Sequence, residues 1–254
     1  MVSGKTEYEP QSANLKDLGP KDRKKRKSKK FRRLCWLAVM LALAIILLLS
    51  LSHRPSRYSP PEIVNEKRVP TYLTHELGET INNGVQLGVP FDLVVTQEGI
   101  NEVIAWYHKN EWSKQFGDLG YSTPEVFFDP NTITLMGAVS AASREFVVTV
   151  VVRPLLDQEG LLNLNVTKVK VGAVNITPVA RIIAKTMYQK RLKTKPIDKD
   201  DVRTKIAASV LNNEPFDPVF RVKDAFEKRY RRVRLKKVAI RRKQLNLHLA
   251  PLAK

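Results

Sequence analysis

Cysteine and histidine are scarce in this sequence: its 254 residues include one cysteine, Cys35, and four histidines. A single cysteine cannot form a disulfide within the chain, and it cannot supply a zinc site of spaced cysteines. The histidines show no HxH or HExxH spacing that would bring two ligands to one metal ion. They are His53, His75, His108 and His248. The sequence therefore predicts no metal site and no cofactor.

Motifs for catalysis are also missing. The sequence has no nucleophile elbow and no glycine-rich phosphate loop, and the Gly-Asp-Leu-Gly stretch at 117–120 is expected to be a turn. Asp200 and Asp201 lie at an expected helix start, where carboxylates interact favourably with the helix dipole. We predict that the protein is not an enzyme. A dispersed triad stays open, because it is recognised by geometry and not by spacing.

The net positive charge comes from the two ends of the chain. The net charge is +19; residues 1–33 hold twelve Lys/Arg against four Asp/Glu, and residues 221–254 hold thirteen against two. Residues 34–220 hold nineteen of each sign and are neutral. This distribution predicts a basic tail and a basic patch, each with a partner of its own.

The longest apolar run covers residues 34–52, LCWLAVMLALAIILLLSLS, which are 19 residues without a charge. As a helix it would be about 28 Å long, close to the hydrocarbon thickness of a bilayer. A signal peptide usually has a shorter apolar core and small residues at a cleavage site, and no Ala-x-Ala pattern follows here. The run therefore predicts an uncleaved transmembrane helix, with a buried core helix or a signal peptide as the alternatives.

The flanking charges predict the orientation of this helix. Residues 16–33 contain eleven Lys/Arg, whereas residues 53–70 contain four. Lys and Arg are retained in the cytoplasm, so we expect a cytoplasmic N-terminus in an inner or plasma membrane. The basic run could also bind anionic lipid or nucleic acid. The predicted divisions are a basic cytoplasmic tail (1–33), a transmembrane helix (34–52), a stalk or linker (53–90) and an extracytoplasmic domain (91–254).

The order of periodic segments predicts an α+β domain. The proline-rich residues 53–90 are expected to be extended, with a short turn near 73–77. The predicted strands are 91–95, 125–129, 132–139, 145–156, 162–171, 216–222 and a hairpin that turns near Arg242 and Lys243. Helices are predicted near 97–112, from Thr177, and near 201–211. An inverted apolar phase at Lys168–Val171 predicts a β-bulge. We expect a curved antiparallel sheet packed on two or three amphipathic helices.

Four segments carry a family resemblance, and together they cover roughly residues 91–250. They read LVVTQEGINEVIAWY, VFFDPNTITLMGAV, REFVVTVVVRPLLDQEGLLNLNVTKVKVGAVNITPVARII and RVRLKKVAIRRKQLNLHLAPL. The sequence resembles small bacterial membrane-anchored proteins related to the tubular lipid-binding (TULIP-like) superfamily. The resemblance implies a sheet curled around a helix, with an apolar groove for an acyl chain. A full tube would need two such units, which would make a homodimer a partner.

Two apolar helix faces are the candidates for lining such a groove. Their residues recur at i, i+3, i+4 and near i+7 or i+8, which is typical of one helix face. Plain core packing is the alternative for both faces. The candidates are Ile100, Val103, Ile104, Tyr107, Val179, Ile182, Ile183 and Met187.

The basic patch near the C-terminus alternates with apolar residues, so a strand pair would expose many of its charges together. These charges could protect a strand edge, bind anionic lipid headgroups or envelope polymers, or bind nucleic acid. Nucleic acid is disfavoured by the predicted topology and by the absence of interleaved aromatic residues. The candidates are Arg231, Arg232, Arg234, Lys236, Lys237, Arg241, Arg242 and Lys243.

We therefore expect a single-pass membrane protein whose extracytoplasmic domain binds lipid or another apolar or anionic envelope ligand. The alternative is a structural or interaction protein of the cell envelope with no small ligand. The expected partners are membrane lipid, other envelope proteins or a second copy of the chain.

Overall fold

The computed structural model describes residues 20–60, 69–112, 122–141, 144–194, 201–223 and 230–252. These residues form an α+β structure with two antiparallel sheets. The α-helices are α1 (Pro20–Leu51), α2 (Gly78–Leu87), α3 (Gln97–Tyr107), α4 (Thr177–Thr194) and α5 (Val202–Asn212). The strands are β1 (Phe91–Thr96), β2 (Glu125–Asp129), β3 (Thr132–Ala141), β4 (Arg144–Leu156), β5 (Leu162–Val171), β6 (Val174–Asn175), β7 (Val219–Lys223), β8 (Tyr230–Arg241) and β9 (Gln244–Pro251).

Helix α1 begins before the apolar run, within the basic segment, and covers the run as far as Leu51. Its part Phe31–Leu51 has a mean hydropathy of 2.9, and its most apolar window is 0% buried. Length and composition therefore fit a membrane anchor or a signal sequence. The chain divides into two compact units, Met1–Leu48 and Leu49–Lys254. The predicted tail falls mostly outside the description, because residues 1–19 are not part of it.

The first sheet is a meander in the order β2-β3-β4-β5-β6. Its strand pairing changes register where Val151 pairs with Lys168 and Val152 pairs with Val166. Thr167 is therefore an extra residue on β5, which confirms the bulge that the inverted apolar phase predicts.

The second sheet has the order β1-β9-β8-β7. The β8–β9 hairpin turns at Arg242 and Lys243, as predicted, and Lys243 has a φ of 65°. The prediction of a single sheet is wrong, because β1 pairs with the distant β9 and not with the meander. A backbone hydrogen bond joins the two sheets: the Lys243 N–H donates to the Phe128 carbonyl at 2.9 Å.

The free edge of β2 is covered by side chains of α3 in place of another strand. Asn101 is buried; its Nδ2 donates to the Val126 carbonyl at 2.8 Å, and its Oδ1 accepts from the Val126 N–H at 2.7 Å. One helical turn earlier, Gln97 Oε1 accepts from the Phe128 N–H at 3.0 Å. Gln97 and Asn101 lie four residues apart on one side of the helix, and they bind backbone groups of Val126 and Phe128, which lie two residues apart on the strand. These backbone groups at the strand edge therefore have hydrogen-bond partners although no strand pairs with them.

One apolar core joins the two sheets and the helix α3. The buried residues come from β1, β8 and β9, from β2 and β5, and from α3. They include Leu93, Val126, Phe128, Leu162, Val233, Leu235, Leu249 and Val103.

The prediction of a stalk at residues 53–90 is wrong for the second half of that range, which belongs to the folded core. A π-helix at Tyr72–Leu77 continues directly into α2, and Tyr72, Leu77 and Val85 are buried in the same core. Tyr72 and Leu77 are five residues apart, and a π-helix brings this spacing onto one face, whereas a 3.6-residue period does not. Tyr58 is also buried, and its hydroxyl donates to the Thr123 carbonyl at 2.9 Å.

Candidate functional site

The apolar face of α3 is packed against the core. Thr96 caps the helix by accepting from the Gly99 N–H at 3.3 Å, which fixes its start at the end of β1. Val103 is buried, and Ile100 and Ile104 are partly buried against the core cluster. These three residues therefore pack in the core, which was the alternative to lining a groove. Tyr107, at the end of the helix, is 39% exposed.

The apolar face of α4 is exposed. Val179, Ile182 and Ile183 are 56%, 69% and 52% exposed. The side chain of Met187 lies outside the described part of the structure. The principal contacts of α4 are with β5 and α5, whereas those of α3 are with β1, β2 and the π-helix before α2. The two predicted faces therefore do not line one shared groove, because periodicity identifies an apolar face but not what covers it.

The predicted basic residues of β8 divide between the two faces of their sheet. Val233 and Leu235 are buried, so Arg232 and Arg234 point to the opposite, outer face. Arg231 lies on the core side, and its Nη1 donates to the Val85 carbonyl at 3.5 Å.

A β-bulge in the second half of β8 changes which residues point to the outer face. Leu235 pairs with Leu249 and Lys237 pairs with His248, which leaves Lys236 as the extra residue. Lys237 and Arg241 continue the outer face, and both are exposed.

Two of the predicted basic residues have carboxylate partners within the domain. Arg234 Nη2 lies 2.9 Å from Asp217 Oδ2, and Lys243 Nζ lies 3.0 Å from Glu98 Oε1. The hydrogen bond from Lys243 lowers the pKa of the Glu98 carboxyl. These two cations therefore tie the sheet to neighbouring segments. Arg242 is exposed in the same turn as Lys243.

An arginine that the sequence did not single out completes the basic face. Arg221 of β7 stands directly opposite Arg232 of β8 in the antiparallel register. Both are exposed, and within the described residues neither has an ion pair. Like charges directly opposite each other destabilise a strand pair. Only the register brings these two residues together, so no local sequence signal could identify the pair.

A cavity of roughly 730 Å³ lies beside this arginine pair, between the start of α5 and the strands β7 and β8. Its apolar lining comes from Val202, Val219 and Phe220, and its cationic lining includes Arg203, Arg221, Arg232 and Lys205. Asp201 and Asp217 also line it. Both carboxylates have partners: Asp201 Oδ1 accepts from the backbone N–H of Arg203 at 2.9 Å, and Asp217 Oδ2 lies 2.9 Å from Arg234 Nη2. The cavity can therefore hold an anionic group next to an apolar one.

A second cavity, of roughly 660 Å³, lies between α4, α5 and β5. Its basic residues are Arg181 and Lys185, and Glu214 also lines it. Arg181 donates to the Val166 carbonyl at 2.9 Å, so its guanidinium already holds the helix to the sheet. The first cavity is therefore the better candidate for an anion.

Within the described residues, no group of three or more His, Cys, Asp or Glu could hold a metal ion.

The buried carboxyl of Glu125 is the titratable group with the clearest structural role. Its Oε2 accepts from the Ser59 N–H at 2.8 Å, and burial raises its pKa. This contact ties the segment after α1 to the start of β2.

No protein-family model matches the chain, and no curated protein matches it. The assignment of a function therefore depends on the geometry described above.

Proposed function

We propose that the protein is a single-pass membrane-anchored protein whose folded domain binds an anionic lipid on the extracytoplasmic side. Helix α1 is the anchor in this proposal, since its segment Phe31–Leu51 is long and apolar enough to cross a bilayer. The excess of Lys/Arg before this segment favours a cytoplasmic N-terminus. The cavity beside Arg221 and Arg232 is the lipid site.

The observation that carries the proposal is the like-charged couple of Arg221 and Arg232, neither of which has an ion pair within the part of the chain that the structure describes. Two like-charged side chains at directly opposed positions of an antiparallel strand pair cost stability in the free protein. A phosphate between them would relieve the repulsion, because guanidinium groups bind phosphate oxygens in a bidentate fashion.

The rest of the cavity suits the other parts of a phospholipid. Arg203 adds a third guanidinium at the same cavity, and Val202, Val219 and Phe220 offer apolar surface next to it. Phe220 stands opposite the buried Val233 in the strand register and is partly buried against the core. The apolar residues would contact the acyl chains nearest to the head group.

Native mass spectrometry of the full-length chain in a neutral detergent tests this proposal. The probes are short-chain phosphatidylglycerol and short-chain phosphatidylcholine, and glycerol phosphate is added as a competitor to separate a lipid site from a site for free phosphate. We expect one phosphatidylglycerol adduct that glycerol phosphate does not displace. Equal occupancy by the two lipids would contradict recognition of the anionic head group.

Charge-neutral variants test whether the cavity is the site. The double variant Arg221→Gln/Arg232→Gln should lose the phosphatidylglycerol adduct. Arg153→Gln is the matched control, because Arg153 is an exposed strand arginine of the other sheet and stands opposite the neutral Asn165. The proposal is wrong if the double variant retains the adduct or if the control loses it equally.

The packing of α3 favours the second candidate, an interaction protein of the cell envelope without a small ligand. Ile100, Val103 and Ile104 pack in the core and do not line the acyl-chain groove that the resemblance implies. This candidate predicts that neither lipid forms an adduct in the same experiment. The exposed arginines would then contact an acidic protein or polymer.

A further inference from the structure

The first half of helix α4 presents three large apolar residues to solvent and two small ones to the protein. Val179, Ile182 and Ile183 are more than half exposed, whereas Ala180 and Ala184 are partly buried. A helix on the surface of a globular domain normally shows the reverse arrangement, with its apolar stripe towards the core. Among the described residues, therefore, nothing covers this stripe and removes it from water.

The helix is held in this orientation by contacts at its start. Thr177 Oγ1 accepts from the Val169 N–H of β5 at 2.8 Å, and Asn175 Oδ1 accepts from the Thr177 N–H at 3.1 Å. Arg181 Nη2, one turn further on, donates to the Val166 carbonyl at 2.9 Å. These bonds fix the inner side of the helix on β5, so the outer face is preformed and needs no rearrangement to bind.

The charge of α4 indicates what covers this face. The segment Thr177–Thr194 contains five basic residues and no acidic residue. They are Arg181, Lys185, Lys190, Arg191 and Lys193. A second copy of the helix on the same face would bring two strongly cationic segments together, whereas an anionic lipid surface complements both the charge and the apolar stripe.

We propose that α4 lies in the interface of an anionic bilayer, with Val179, Ile182 and Ile183 among the acyl chains. The exposed Lys185 would then meet the lipid phosphates. This surface is separate from the cavity at Arg221 and Arg232, so the inference goes beyond the lipid site and does not require it.

A fluorescent label on the exposed stripe tests the proposal in the full-length chain. Cys35→Ser removes the native thiol, and Ile182→Cys then carries an environment-sensitive nitrobenzoxadiazole group. The protein is placed in nanodiscs of phosphatidylcholine alone or mixed with phosphatidylglycerol. We expect blue-shifted emission and protection from an aqueous quencher in the mixed discs, and weaker effects in phosphatidylcholine alone.

Two further labelled variants complete the test. Glu159→Cys places the same label on the exposed β4–β5 turn and should report water in both discs. Ile183→Cys provides a second position on the stripe and should behave like Ile182→Cys. Labels at 182 and 183 that are as accessible as the control would overturn the proposal. A short distance between spin labels at Ile182 of two copies would also overturn it, in favour of a dimer interface.

Discussion

Reversal of one charge in the arginine pair should stabilise the domain while it removes lipid binding. In Arg221→Glu, a carboxylate would face Arg232, so a repulsive cross-strand pair becomes an attractive one. Each such pair contributes roughly 0.2–1 kcal/mol, so the change from repulsion to attraction is about 1 kcal/mol. For a domain of this size that corresponds to a rise in Tm of about 2–4 °C.

Thermal unfolding of the full-length chain in a neutral detergent, followed by circular dichroism, measures this effect. At high salt the gain should shrink, because screening shortens the reach of exposed charges to about 3 Å at 1 M salt. Arg221→Gln should give about half the gain, since it removes the repulsion and adds no attraction. Arg153→Gln should leave Tm unchanged, because the residue opposite Arg153 in the strand register is the neutral Asn165.

Two results would refute this reasoning. If Arg221→Glu lowers Tm at low salt, the two guanidinium groups do not repel each other in the free protein. If the gain is unchanged at high salt, its origin is not electrostatic. In either case the unpaired arginines would lose their value as a sign of an anion site.

Two further predictions concern side chains that hold the fold together. Asn101→Ala leaves the Val126 N–H and carbonyl without partners. Each unsatisfied buried group costs about 1–3 kcal/mol, so the free energy of unfolding, measured with urea, should fall by roughly 2–6 kcal/mol. A loss well under 1 kcal/mol would show that water replaces the amide. Burial raises the pKa of Glu125 in the folded state, so its contribution to stability is present below the unfolded pKa and is lost as pH rises through the folded pKa. Glu125→Gln can still accept from the Ser59 N–H, so the stability of the wild type relative to this variant should fall as pH rises through that window; a constant difference would contradict the assignment.

Local patterns predicted much of the fold because they report neighbouring contacts. The meander strands, the β8–β9 hairpin and the bulge at Thr167 all follow from alternation and turn residues within a few positions. The helix start near Thr96 likewise follows from a single capping side chain.

The features that escaped prediction depend on distant or irregular contacts. The π-helix at Tyr72–Leu77 adds a residue to the helical period, so its buried stripe is invisible to a search for 3.6-residue spacing. The pairing of β1 with β9 joins opposite ends of the domain, and this separates the strands into two sheets. The meeting of Arg221 with Arg232 follows from strand register alone, which side-chain periodicity does not specify between strands.

The most direct test of lipid binding is native mass spectrometry of the intact protein as it is isolated from its own membrane, before any lipid is added. The account predicts a species heavier by one anionic phospholipid, and it predicts that this species disappears in Arg221→Gln/Arg232→Gln but persists in Arg153→Gln. A wild-type protein of bare polypeptide mass, or a lipid adduct that survives in the double variant, would contradict it.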